Sequence, residues 1–443
     1  MNKAIIIGGG AAGMAAAYAA SFHVENVFLL ERNEKLGKKI YITGKGRGNL
    51  TNAADISDFF DKIVSNPKFL YSSLYGFTNE QLLMLLSKYG LKTKTERGNR
   101  VFPVSDHASD ITAAWTRALR DRKVEIRTDC GVKELIVRKE RERLCVNGVR
   151  LDNGDTLLAD HVIVATGGLS YPATGSTGDG LNFAKALGIS TTPTHPALVP
   201  FAVKETDIFE LSGLALKNVT FTVFSDDKRQ SGQNKEHAPL ASAKGQRLYE
   251  EFGEMLFTHF GISGPIVLSA SSRIAKVLSE SKYLPAQIDF KPRLSTEQLD
   301  KRLISVIDTQ AKQSCRRLFD GLLPKSMGPL MLSRLSIASD RKIGTLTKEE
   351  RTAVGKLLKQ FPLSITGTRG FKEAIITQGG VSVKQIDPTT MRAKNVDGIS
   401  FCGEVLDVDA LTGGYNMQIA FSTGIAAGNG LMEEGSLGNK GDK

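Results

Sequence analysis

The sequence predicts an α/β protein organised around a parallel sheet, and three observations predict it. A short apolar run, Ala4 to Ile7, leads through a glycine-rich turn into an alanine-rich stretch of helix-forming character, Ala11 to Phe22. A second apolar run, Val27 to Leu30, completes a strand, helix, strand unit of about thirty residues. Far downstream, His161 to Ala165 reads as a buried strand running into Thr166, Gly167 and Gly168.

Composition bounds the rest. At roughly 100 to 200 residues per domain, 443 residues suggest two or three domains, and 41% hydrophobic content is enough for a full buried core. The 44 glycines, about a tenth of the chain against an average near 7%, are the one compositional excess. The 58 basic against 47 acidic side chains give a formal charge of +11, which raises nucleic acid, a membrane surface or an anionic cofactor as partners. Basic residues read as scattered, with no long run, no zinc-finger spacing and no aromatic-glycine signature, so nucleic acid is not the favoured partner. Cys130, Cys145, Cys315 and Cys402 lie far apart without a Cys-x-x-Cys pair, which removes support for a disulfide framework, a metal site or a redox dithiol. Gly8, Gly9 and Gly10 interrupt the apolar N-terminal stretch that would otherwise resemble a signal peptide. No run reaches the ~18 apolar residues of a membrane span, so a cytoplasmic protein with no membrane partner is expected.

Along the chain, residues 55 to 122 read as mostly helical. Short strands follow at Glu134 to Val137, Arg143 to Val146 and Val149 to Leu151, the last two separated by Asn147-Gly148 read as a hairpin turn. Asn153-Gly154 marks another turn. Near residue 190 the texture changes, with Pro193, Pro196 and Pro200 close together. Residues 191–364 are expected to be an inserted region, part β-rich and part helical, the helical part at about 265–340. Residues 1–190 and 365–443 then form one discontinuous nucleotide-binding domain. Asp226 to His237 is a polar stretch, and the tail from Gly435 is expected to be disordered.

The first motif with chemistry is Gly8-Gly9-Gly10-Ala11-Ala12-Gly13. Gly8 permits a tight turn, Gly10 lets the backbone approach a pyrophosphate, Gly13 lets helix pack closely on strand, and the helix start at Ala11 and Ala12 offers free N–H groups to an anion. Glu31 follows 18 residues after Gly13, at the end of the second strand, where a carboxylate can accept both ribose hydroxyls. This fingerprint serves NAD and FAD alike. Two returning segments favour FAD, whose ribityl phosphate and ring must be gripped far from the adenosine: Ala165-Thr166-Gly167-Gly168, and Gly403-Glu404 through Asp409 to Gly414-Tyr415-Asn416-Met417-Gln418. A basic loop from Lys35 to Asn52 holds Lys39, Arg47 and the alternating Gly44, Gly46 and Gly48 before Asn49, a composition suited to neutralising the pyrophosphate and bordering the flavin. Arg32 beside Glu31, and Val132, complete the expected cofactor contacts.

Gly44 to Asn52, Ser170 to Gly180, Leu256-Phe257-Thr258-His259 through Ser263-Gly264-Pro265, and Gly403 to Gln418 occur in that order. Together they resemble the bacterial FAD-dependent oxidoreductases that include aminoacetone oxidase-like and bile-acid Δ4,6-reductase-like flavoproteins. The resemblance spans the whole chain. It implies an α/β, glutathione-reductase-like FAD-binding Rossmann domain with inserted β-barrel and helical domains. Many members carry Cys where this chain has Gly48, so no thiol role carries over to that position. Tyr171 and His259 lie in the family's motifs and are the candidates for proton donation. No second strand-linked G-x-G-x-x-G occurs after residue 13, so NADH or NADPH is expected only as a transient electron donor. A small-molecule substrate is expected between the flavin domain and the insert, with an NAD(P)H-linked reductase favoured, an amine oxidase producing peroxide as the alternative, and a flavin-containing RNA-associated protein behind both.

Overall fold

The computed structural model describes residues 2–140, 142–226 and 245–432. The polar stretch beyond Asp226 and the tail from Gly435 lie outside the described residues. Two compact units divide the chain, Met1–Pro196 with Phe371–Lys443, and Ala197–Gly370.

In the first unit, β1 (Lys3–Ile7) leads into α1 (Ala11–Ala20) and on to β2 (Asn26–Leu30). β1 pairs in parallel with β2 on one side and with His161–Val164 on the other. Strands Ile399–Phe401 and Glu125–Arg127 extend the parallel sheet at its two ends. Ile5, Ile6, Leu29, Val162 and Ile163 are fully buried, as a parallel sheet covered on both faces requires. β1 is therefore the switch point from which the chain moves first one way and later the other, and a ligand sits outside the carboxyl ends of such strands. The helix Tyr415–Asn429 packs along α1 through small residues: a Cβ on Gly424 or Gly428 would strike the carbonyl oxygens of Ala12 and Ala16.

Two local expectations are corrected. Arg143–Leu151 is one continuous strand, antiparallel to Val132–Glu140, and Asn147-Gly148 lies inside it. Ile136 faces Gly148 and Val137 faces Val146, so Asn147 is the extra residue of a bulge rather than part of a hairpin turn. The 55–122 region is not helical throughout. Helices occupy Tyr71–Gly76, Asn79–Lys88 and Ser109–Asp121, but Thr93–Glu96 and Arg100–Pro103 form a hairpin that Thr51–Asn52 joins. Gly98 and Asn99 both have positive φ (76° and 58°), the requirement of a tight hairpin turn.

In the second unit, Phe201–Val203, Gly261–Ser263, Arg247–Thr258, Ala215–Phe224, Leu284–Asp289 and Phe361–Thr368 close into a barrel in that order. Its core includes the fully buried Phe201, Phe221, Phe257 and Phe361. Helices Pro265–Ser279, Thr296–Thr309, Met327–Leu335 and Lys348–Lys359 belong to the same unit. Two of them, Thr296–Thr309 and Lys348–Lys359, each carry a capping box, from Ser295 with Gln298 and from Thr347 with Glu350. Among the described residues no helix is long and apolar enough to cross a membrane.

Candidate functional site

The glycine turn after β1 is built as its residue types require. Gly8 has φ +100°, and a Cβ there would lie 2.6 Å from the Ala165 oxygen; a Cβ on Gly13 would strike the Gly8 oxygen. Gly10, the residue before α1, differs: its Cβ would meet nothing within 4 Å. Open space therefore lies against the start of α1, where Ala11, Ala12 and Gly13 have no intrahelical acceptor for their N–H groups and the helix dipole favours an anion. At the edge of the turn the Thr166 hydroxyl is buried without a hydrogen-bond partner.

Glu31 is buried at the end of β2. Its Oε2 accepts from Gly9 N (2.7 Å), and its Oε1 accepts from Asn33 N (2.9 Å) and Asn33 Nδ2 (2.6 Å). A carboxylate has about four acceptor positions, so room remains for one further donor. Cys130 N donates to Glu31 O (2.9 Å), which draws the segment ending at buried Val132 alongside. Arg32 turns to Thr177 (2.7 Å) and Asp179 (2.8 Å), and Asn33 Nδ2 donates to Thr174 O (3.1 Å). The end of β2 is thereby fastened to the loop that follows Gly167.

A second cluster joins three loops. Lys39 Nζ lies 2.5 Å from both Ser170 Oγ and Glu404 Oε2, Ser170 Oγ donates to Glu404 Oε1 (2.5 Å), and Thr377 N donates to the same oxygen (2.8 Å). Thr377 Oγ1 accepts from Leu169 N and Ser170 N at 2.7 and 3.0 Å. Gly403, at φ +78°, passes so close to α1 that a Cβ would lie 2.6 Å from Ala12 Cβ, and its N–H donates to Thr423 Oγ1 (3.0 Å). Asn33, Ser170, Thr377 and Thr423 were not singled out as site residues in the sequence. They are ordinary polar residues, and only the fold brings them together.

The basic loop is distributed differently from its composition. Arg47 is held by Glu96 and Asp106 and lies over the Phe102 ring at 4.4 Å; these two carboxylates raise the pKa of its guanidinium. Lys38 pairs with Glu34, and Lys35 lies over the Tyr41 ring. Gly44, Gly46 and Gly48 all have positive φ. Asn49, with its amide oriented to satisfy its neighbours, donates to Thr51 O and accepts from Gly414 N (3.0 Å). A Cβ on Gly48 would fall 2.9 Å from Ala108 Cα, which leaves no room for a thiol-bearing side chain in this conformation.

Several C-terminal residues serve the local framework. Gln378 Nε2 donates to Asp409 (3.2 Å); Asn416 accepts from Ala410 N and donates to Ala410 O. Gln418 bonds Thr51, Phe77 O and Ser422, and Tyr415 packs edge-on to Phe59 at 4.9 Å. A Cβ on Gly414 would strike Thr51. Tyr171 is half-buried at φ +50°; burial, then nearby Glu373, raises the pKa of its phenol. His259, in the second unit, is exposed in the turn after Arg247–Thr258, its ring edge-on to Phe260 at 4.9 Å. Burial pushes the Cys402 thiol far up, so it is inert at neutral pH.

The turn at Gly10 and the free N–H groups of α1 fit the pyrophosphate of a dinucleotide. The HI0933-like protein Rossmann domain family matches residues 2–430. A 3-dehydro-bile acid delta(4,6)-reductase of Clostridium scindens is 34% identical over 98% of this chain and 100% of its own length. Two ribosomal RNA dihydrouridine synthases are each 30% identical: that of Haemophilus influenzae over 96% of this chain and 97% of its own, that of Escherichia coli over 97% and 98%.

Proposed function

The chain belongs to the HI0933-like Rossmann family and is an FAD-dependent oxidoreductase; from that premise we propose that it reduces a carbon–carbon double bond conjugated to a carbonyl, with NADH or NADPH as donor. The observation that carries this reading is the glycine turn with open space at Gly10 beside the α1 N-terminus. The two named activities among its relatives support the bond type, because a steroid 4,6-dien-3-one and the uracil ring both present an alkene conjugated to a carbonyl.

FAD, when bound, supplies the hydride that moves to the substrate. The residues that would hold it are Gly10, Ala11 and Ala12 at the pyrophosphate, Glu31 at the ribose, and Gly403 with Glu404 along the chain toward the ring. Hydride arrives at the alkene carbon remote from the carbonyl, and a proton must reach the carbon next to it. Tyr171 is the proposed source, since burial and Glu373 keep its phenol protonated at neutral pH. The Lys39, Ser170 and Glu404 cluster ties three loops together and would hold them beside the cofactor.

The test is anaerobic mixing of the FAD-loaded protein with NADH, NADPH and a panel of small amines, followed at the ~450 nm flavin band. Bleaching by a nicotinamide and recovery on adding an enone support the proposal. Bleaching by an amine alone, with peroxide formed in air, replaces it with an oxidase.

A ribonucleic acid substrate is a second reading, and one observation favours it. Residues 291–360 contain 15 lysines and arginines against 7 acids. That net +8 is most of the chain's +11.

A further inference from the structure

Resting on the RNA reading just given, we infer that the helical part of the second unit, residues 291–360, is a phosphate-binding surface that docks RNA. Hydrogen bonds join two of its segments: Gly344 N to Ala311 O (3.0 Å), Ile343 N to Gln313 O (2.9 Å), Cys315 N to Arg341 O (2.8 Å) and Arg316 N to Ser339 O (3.0 Å). This pairing gathers Lys312, Arg316, Arg317 and Lys342, all four exposed.

Their bonds inside the protein are to neutral groups. Lys342 Nζ donates to Lys312 O (3.0 Å), Arg317 to Gln313 Oε1 (3.1 Å) and Arg316 to Ser339 Oγ (3.4 Å). Among the described residues no ion pair involves any of the four. The neighbouring Arg341 is different, because Glu350 takes it, and Arg334, Arg351 and Lys359 pair with Asp207, Asp300 and Asp289. Of the seven acids in residues 291–360, Asp300 and Glu350 are thus engaged elsewhere; exposed Glu297, Asp308, Asp320, Asp340 and Glu349 form no ion pair among the described residues, with the four cations or with any other.

A solvated basic face is the ordinary outcome of such composition. The segregation argues otherwise here: the remainder of the second unit, residues 197–290 and 361–370, holds 11 basic and 11 acidic residues. A neutral barrel beside a segment at +8 is a directed charge distribution, suited to a polyanion. No aromatic side chain is exposed within residues 291–360, so the surface would grip phosphates without reading bases, positioning the RNA rather than specifying it.

The test measures binding of a fluorescein-labelled, uridine-containing RNA hairpin to the full-length FAD-loaded protein by anisotropy. For four phosphate contacts the affinity should fall roughly 50- to 100-fold between about 50 and 200 mM salt. The K312A/R316A/R317A/K342A variant should bind at least about tenfold more weakly at low salt, with a salt slope smaller by about one per cation removed. R316K/R317K, which keeps the charge, should restore the slope and excludes a folding defect. K88A/K92A/R120A/K133A, which removes four exposed cations from the first unit, should bind as the parent does. No RNA binding by the parent at about 50 mM salt, equal affinity in parent and quadruple variant, or capture of phosphatidylglycerol vesicles without RNA overturns the inference. Binding requires no turnover, so failure of nicotinamide bleaching sinks the reductase reading separately.

Discussion

At the scale of single residues, four positions separate cofactor contact from framework. Gly10 faces open space and Gly13 faces the Gly8 carbonyl, so substitutions there should fail in opposite ways. Gly10→Leu is expected to leave thermal stability nearly unchanged while purified protein lacks the ~450 nm flavin absorption. Gly13→Ala should instead cost roughly 1–3 kcal/mol of stability by overpacking. Retained flavin in Gly10→Leu would refute the placement of the pyrophosphate. Gly48 is the position where relatives' Cys does not carry over, and the structure supplies a reason: φ is +76° and a Cβ would lie only 2.9 Å from Ala108 Cα. Gly48→Cys should therefore destabilise by roughly 1–3 kcal/mol, measured by urea denaturation, and gain no redox activity. For Tyr171→Phe, loss of the proposed proton donor should slow flavin reoxidation by an enone roughly 10²- to 10⁴-fold while nicotinamide bleaching is unaffected. Unchanged reoxidation would move the role to another group, His259 being the other sequence candidate.

At the scale of elements, strand ends and loops are tied by groups that the sequence presents hundreds of residues apart. Lys39, Ser170 and Glu404 come from three such loops. Glu404→Gln keeps the size but removes the charge that holds Lys39, and should weaken FAD binding severalfold more than it lowers the melting temperature; titration of apoprotein with FAD distinguishes the two. Within the sheet, His161 bonds Ser400 Oγ across neighbouring strands (2.9 Å). Burial, with Arg392 second, holds its imidazole neutral, the pKa lowered to about 3. The unfolded chain takes up this proton below about 6.5, whereas the folded chain does so only near 3. Stability from this group is thus complete above about pH 6.5 and declines as pH falls toward 3, by up to about 1.4 kcal/mol per unit. His161→Gln should flatten that part of the stability profile. Local pattern reading succeeded for β1, α1 and β2 because periodicity and the glycine turn are local signals. It failed at Asn147-Gly148, where the same dipeptide that makes a hairpin turn also suits a bulge, and only the pairing partner decides. It failed also for Thr93–Pro103, whose turn signal is the pair Gly98-Asn99 rather than the more familiar Asn-Gly order.

At the scale of the whole molecule, residues 197–370 form a continuous segment with its own barrel and buried core. Expressed alone, it is expected to unfold cooperatively on heating and to bind no FAD; an unstructured segment would show that its core depends on the rest of the chain. Charge is also a property of the whole chain that single motifs missed. The basic residues are spread along the chain, but the net charge is not: residues 291–360 carry +8 of the +11, a signal that counting charge over a sliding window would have found.

By itself, the sequence determined the glycine turn between strand and helix and the flavin class, because these rest on short glycine and acidic motifs whose backbone requirements are local. Only the tertiary structure decided which polar groups stand together. It gave Arg47 to Glu96 and Asp106, joined Lys39 to Ser170 and Glu404, and left Gly10 facing open space. A side chain's partner is set by where distant elements meet in the fold, and no spacing along the chain encodes that distance.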